Sequence, residues 1–88
     1  MKILEISYSS HFLRAFKKLP KNLRFEVAER EAMFKADCFD GRLKTHKLGG
    51  SLKEFWAFSI TSAYRIMFAF ESEGIVTFVD VDDHSIYG

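Results

Sequence analysis

Residues 55–88 read FWAFSITSAYRIMFAFESEGIVTFVDVDDHSIYG, and this stretch decides the fold. Three runs rich in aromatic and β-branched residues are separated by Thr61-Ser62-Ala63 and Ser72-Glu73-Gly74, interruptions short enough for hairpins. The spacing predicts strands over about Glu54 to Ile60, Tyr64 to Glu71 and Ile75 to Val81, joined as an antiparallel meander. In the middle run, alternation puts Tyr64, Ile66, Phe68 and Phe70 on one face and Arg65, Met67, Ala69 and Glu71 on the other. The first face is the more apolar and is expected to meet the rest of the protein, which leaves Arg65 on the open face.

Upstream, Lys2 to Tyr8 (KILEISY) alternates as a first strand. Ser9 or Ser10 is a good N-cap, because a serine hydroxyl can take an orphan amide of the first helical turn. A short helix is predicted from about Ser10 to Leu19, with Phe12, Leu13, Phe16 and Leu19 as its apolar stripe. Pro20 ends it or opens the next helix. The run Lys21 to Lys35 is the longest helical pattern. Leu23, Val27, Arg30 and Phe34 fall on one side, and Phe25, Ala28, Ala32 and Met33 are expected to widen the apolar face. Asp37 to Gly50 reads as a loop with turn signals at Asp40-Gly41 and Gly49-Gly50. The order β-α-α-β-β-β predicts a single α+β domain over residues 1–88, with a helical hairpin on one face of an antiparallel sheet.

The composition allows one small domain and little more. In 88 residues, 48% are hydrophobic and ten are Phe, so aromatic rings must dominate the core. That is a surplus for so small a volume, and a first hint that a partner covers some of it. A formal net charge of +1 does not mark a nucleic-acid binder, although positive charge gathers between Arg14 and Lys53. The single cysteine, Cys38, excludes an internal disulfide and a cysteine metal clip, and fits a reducing, cytoplasmic setting. No stretch has the length of a membrane span, and Lys2-Ile3-Leu4-Glu5 is not the start of a signal peptide.

A few residues could carry chemistry on a phosphodiester. Cleaving RNA without a metal cofactor needs a group to take the 2′-hydroxyl proton, a group to protonate the leaving oxygen, and cations to stabilise the charged phosphate. His84 could serve as acid or base, Tyr87 as proton donor or stacking ring, and Arg65 as a bidentate phosphate clamp. His46, Lys47 and Lys53 could line the RNA approach. Read from residue type alone, the same groups fit a bland account: a turn histidine, a packed tyrosine, an arginine paired with Glu71 or Asp80, and a solvated basic loop.

The phrase HKLGGSLKEFWAFSITSAYRIMFAF, from His46 to Phe70, resembles the RelE/ParE superfamily of type II toxin–antitoxin toxins, and within it the RelE/StbE-like mRNA interferases. The resemblance rests on Leu48, Gly50, the strand Phe55 to Ile60, then Tyr64-Arg65-Ile66, and a terminal His-x-x-Tyr at His84 and Tyr87. It implies a sheet with helices on one face and an RNA site on the other. It implies Arg65 as the phosphate-stabilising arginine, His84 and Tyr87 as catalytic groups, and His46 as a further active-site histidine. It also implies a cytoplasmic protein with mRNA, the ribosome and a cognate antitoxin as partners, and no membrane. Two departures stand out. Trp56 and Phe58 occupy the strand where several RNA-cleaving members carry cations, and Asp82 and Asp83 add negative charge beside His84. The competing readings are a ParE-like inhibitor of DNA gyrase, against which the His84–Tyr87 pair argues, and a degenerate toxin kept as a binding or regulatory module.

Overall fold

The computed structural model describes residues 1–83. The chain runs β1 (Glu5–Tyr8), α1 (Ser10–Lys17), α2 (Lys21–Ala36), β2 (His46–Lys47), β3 (Trp56–Ser59), β4 (Tyr64–Ser72) and β5 (Ile75–Asp83), with 3₁₀ turns at Gly41–Leu43 and Gly50–Leu52. The strands form one five-stranded sheet in the order β1-β5-β4-β3-β2. The meander of β3, β4 and β5 is as expected. The sheet as a whole is mixed rather than antiparallel, because β1 pairs parallel with β5, Glu5 opposite Ile75 through Tyr8 opposite Phe78. The two-residue β2, expected as loop, pairs with β3; two residues carry no periodicity that a sequence reading could detect.

Local chemistry explains where the helices begin. Ser9 caps α1: its Oγ accepts the Phe12 amide at 2.9 Å and donates to the Val79 carbonyl at 3.0 Å, fixing the helix start to β5. Pro20 is the N-cap of α2, so it opens the second helix and separates it from the first. In α2, Val27 and Phe34 lie one above the other and are buried, whereas Phe25, Ala28 and Ala32 are exposed. The expected widening of the apolar face does not occur. Phe25 and Ala32 lie on roughly the opposite side of the helix from Val27, and the sheet covers one side only.

Phe34 sits at the centre of the core. It stacks on Phe58 at 4.5 Å and meets Phe68 and Phe78 edge-on at 4.9 and 5.5 Å. Ile3, Phe12, Leu43, Ile60, Ile66, Val76 and Val81 complete this layer. Trp56 joins Phe39 and Phe70 in a second, partly exposed aromatic group. Trp56 and Phe58 therefore face the helix layer, not the open face. A cation at Phe58 would be driven into the core, and one at Trp56 would stand on the helix side, away from Arg65. The open face of β3 carries Ala57 and Ser59 instead. Among the described residues, no helix is long and apolar enough to cross a membrane.

Candidate nucleic-acid interface

Arg65 stands on β4, the centre strand. Its neighbours in sequence, Tyr64 and Ile66, turn towards the helices: Ile66 is buried in the core, and Tyr64 lines a cleft with His11, Arg14 and Lys18 of α1. Alternation puts Arg65 on the opposite face, as the sequence predicts. Cross-strand register sets Ser59 of β3 on one side of it and Asp82 of β5 on the other. The sequence offered Glu71 or Asp80 as its acid neighbour. Glu71 accepts a hydrogen bond from the Thr77 hydroxyl at 2.7 Å, and Asp80 lies 3.0 Å from His11 Nε2. Asp82 accepts the Asp83 amide at 2.8 Å, which points part of its carboxylate back to its own chain.

His46 shares this face. It pairs with Ala57, which pairs with Met67, two residues along β4 from Arg65. With strands roughly 4.8 Å apart and residues roughly 3.3 Å along, the His46 and Arg65 backbones are separated by about 12 Å. His46 Nδ1 lies 2.9 Å from the Lys44 carbonyl. A carbonyl only accepts, so Nδ1 carries the proton in this bond and Nε2 is left as the basic nitrogen of the ring. Lys47 does not join them. It pairs with Trp56, on the helix-side row, and is exposed at the sheet edge. Lys53 caps the turn before β3, beyond the end remote from Ser59, and so is also apart from Arg65. His84 and Tyr87 lie outside the described residues. The last described residue, Asp83, pairs with Tyr64 beside Arg65.

Two groups of side chains escaped the sequence reading. One is the His11–Asp80 pair in the α1–β5 cleft; Asp80 is buried, and an aspartate in a strand pattern next to a valine run gave no sign of a partner on a helix seventy residues earlier. The other is the loop after α2. There Arg42 clamps Asp40 through Nε and Nη2 at 3.0 and 2.8 Å. Those bonds and the Arg42 amide hold the Asp40 carboxyl down at about 2. Arg42 thus spends part of its guanidinium inside the loop, which counting basic residues could not reveal. Lys44 follows in the left-handed region, at φ 53°.

The arrangement can bind and polarise an anion on an open sheet face: a guanidinium at the centre and an imidazole base two strands away. Among the described residues, no group of three or more His, Cys, Asp or Glu side chains could hold a metal ion.

No protein-family model matches the sequence, and no curated protein sequence matches it. Solved structures do. A YoeB/ParE toxin from Agrobacterium tumefaciens superposes with a TM-score of 0.75 over 92% of this chain and 99% of that one, at 14% identity. The DinJ–YafQ toxin–antitoxin complex of E. coli matches with a TM-score of 0.72, at 14% identity, over 98% of this chain and 97% of that one. The toxin–antitoxin complex RelBE2 of Mycobacterium tuberculosis matches with a TM-score of 0.71 and 20% identity, over 94% and 93% of the two chains. At these identities the likeness is one of fold: the chain has the fold of RelE/ParE-like toxins.

Proposed function

We propose that this chain is the toxin of a type II toxin–antitoxin pair, an endoribonuclease that cuts mRNA on the ribosome, inhibits translation and is silenced by a cognate antitoxin. The observation that carries the reading is Arg65, held on the centre strand of a toxin fold and on the sheet face that the helices leave open. A phosphodiester laid across β4 would meet the guanidinium, which stabilises negative charge as it grows on the phosphate oxygens. The 2′-hydroxyl proton and the leaving 5′-oxygen need a base and an acid. His46, through Nε2, and His84 are the imidazoles assigned to these roles, and Tyr87 is assigned to hydrogen bonding or base stacking. The DinJ–YafQ and RelBE2 structures are toxin–antitoxin complexes, and they support an antitoxin as the protein partner.

One observation favours a second reading, a silent relative that binds without cutting. Asp82 stands directly opposite Arg65, so a carboxylate borders the place where a phosphate would approach. Inducible expression in a bacterium, with RNA 5′ ends mapped by primer extension, separates the two. The ribonuclease reading expects new 5′ ends with the parent chain and a loss of at least about a hundredfold in Arg65→Ala, the scale for removing a transition-state donor. It expects the same direction in His84→Ala. Soluble, folded chain with no new ends rejects the nuclease. Growth arrest without cleavage would then direct the test to DNA supercoiling by gyrase.

A further inference from the structure

Three clefts on the described surface differ in character. The first, lined by Tyr8, Phe12, Leu13, Phe16 and Val27, is apolar. The second, the α1–β5 cleft, mixes His11, Arg14 and Lys18 with Asp80 and Asp82. The third, of about 400 Å³, lies between α2, the loop after it and the β3–β4 turn, and its lining has one sign of charge. Arg30 projects from α2, and Arg42 and Lys44 from the loop. Ser59, Thr61 and Ser62 add three hydroxyls, and among the described residues no carboxylate lines the cleft.

We propose that this cleft is a phosphate subsite for the RNA backbone, next to the phosphate held by Arg65. The inference rests on the ribonuclease reading for its ligand, but it assigns residues which that reading does not. Four observations carry it. Arg30 and Lys44 form no ion pair among the described residues, although Asp40, held by Arg42, feels the Arg30 charge from a distance. Arg30 Nη1 donates to the Arg42 carbonyl at 3.3 Å, which ties helix and loop together across the cleft. Lys44 is the only described residue other than glycine with a positive φ. A lysine held in that conformation costs roughly 1 kcal/mol, and such strain concentrates at binding sites. Thr61 Oγ1 accepts the Ala63 and Tyr64 amides, both at 3.1 Å, and this leaves its proton to donate to a ligand.

Position selects the ligand. Ser59 lines the cleft and is also the β3 partner of Arg65, so one wall of the cleft has its backbone about 5 Å, one strand spacing, from that of Arg65. A single strand crossing the open face from β5 towards β3 passes Arg65 and enters the cleft with its next phosphates. Arg30, Lys44, the part of Arg42 not held by Asp40 and three hydroxyls are donors that phosphate oxygens take, and the absence of a carboxylate among the described lining residues contrasts with the α1–β5 cleft.

The test is direct binding by the full chain of a fluorescent 2′-O-methyl oligoribonucleotide, which cannot be cleaved through its 2′ position. Anisotropy is recorded across a salt series for the parent, for Arg30→Gln/Lys44→Gln, and for Lys2→Gln/Lys35→Gln as an equal-charge control at the remote end of β5. Losing two phosphate contacts should weaken binding about tenfold or more and reduce the slope of log K against log salt by roughly 1.4, with the control near parent. Circular dichroism melting confirms the fold of each variant. The proposal is overturned by no oligonucleotide binding in the parent, by an unchanged affinity and slope in the cleft variant, or by an equal loss in the control. It is also overturned if polyglutamate of matched charge competes as well as RNA, which would make the cleft a dock for an acidic protein. Binding through the cleft without cleavage in cells would reject the ribonuclease and keep the subsite. Cleavage with an unaffected cleft variant would do the reverse.

Discussion

Phe34 and Tyr8 show how differently two aromatic residues act in one small core. Phe34 is fully buried, and its ring touches Phe58, Phe68 and Phe78. Phe34→Ala leaves a ring-sized cavity between α2 and the sheet and should lower unfolding free energy by about 3–5 kcal/mol in urea titration. In a domain this small that is a large part of its stability. Tyr8 lies at the rim, half-exposed, with its hydroxyl bonded to Glu31. Burial first, then the Glu31 hydrogen bond and its charge, push the phenol up to about 12 from 10.0. The raised value means that the fold favours the neutral phenol. That contribution is complete below pH 10 and is lost as pH rises through about 12. Glu31→Gln removes the charge and leaves the burial, so the midpoint should fall only part of the way to 10. The tyrosinate absorbance difference between each chain and its Tyr8→Phe form reads it out. A midpoint that does not move would mean that burial alone sets the titration.

At the scale of elements, α1 depends on a single serine for its place. Ser9 closes the first turn and reaches the Val79 carbonyl, at the point where β5 slips register against β4 between Phe78 and Asp80. Ser9→Ala removes both bonds at once. The expected cost is about 1–2 kcal/mol, towards the upper end for a cap because a part-buried carbonyl also loses its donor. Chemical denaturation measures it, and a cost within 0.5 kcal/mol, about the scatter of neutral surface changes, would show the cap to be idle. This cap was readable because serine before an apolar stripe has one dominant local meaning. The same holds for the strands of the meander and for the outward face of Arg65, where alternation and turn residues agree. What the sequence did not disclose required partners distant along the chain. The parallel pairing of β1 with β5 spans some seventy residues, β2 is too short to carry a period, and Trp56 and Phe58 turn inwards because Phe34 waits for Phe58 across the layer. The candidate site follows the same division. Type and spacing singled out Arg65 and His46 as candidates but could not show that Lys47 falls on the other row of the pleat, and the cleft of Arg30, Arg42 and Lys44 exists only once α2 and its loop are folded against β3.

The whole molecule is a two-layer object with one layer missing. Helices cover one side of the sheet, and Arg65, Met67 and Ala69, each half-buried, lie on the other. If the open face is the working surface, charge placed there must alter activity, and charge on the outer side of α2, away from Arg30, must not. Ser59 and Ala28 make the comparison clean: one is the direct β3 partner of Arg65, the other an exposed residue on the outer side of α2. Ser59→Glu sets a carboxylate across from the guanidinium, an opposite-charge cross-strand pair worth roughly 0.2–1 kcal/mol to the fold. The variant should therefore fold as well as the parent while its arginine is neutralised towards RNA. Cleavage in cells, scored by primer extension, should fall at least about tenfold, equivalent to ~1.4 kcal/mol of lost transition-state stabilisation. Ala28→Glu should cleave as the parent does, since a glutamate in a solvent-facing helical position disturbs neither layer. The reverse pattern, activity lost in Ala28→Glu and kept in Ser59→Glu, would move the working surface to the helices and leave Arg65 as an ordinary strand residue.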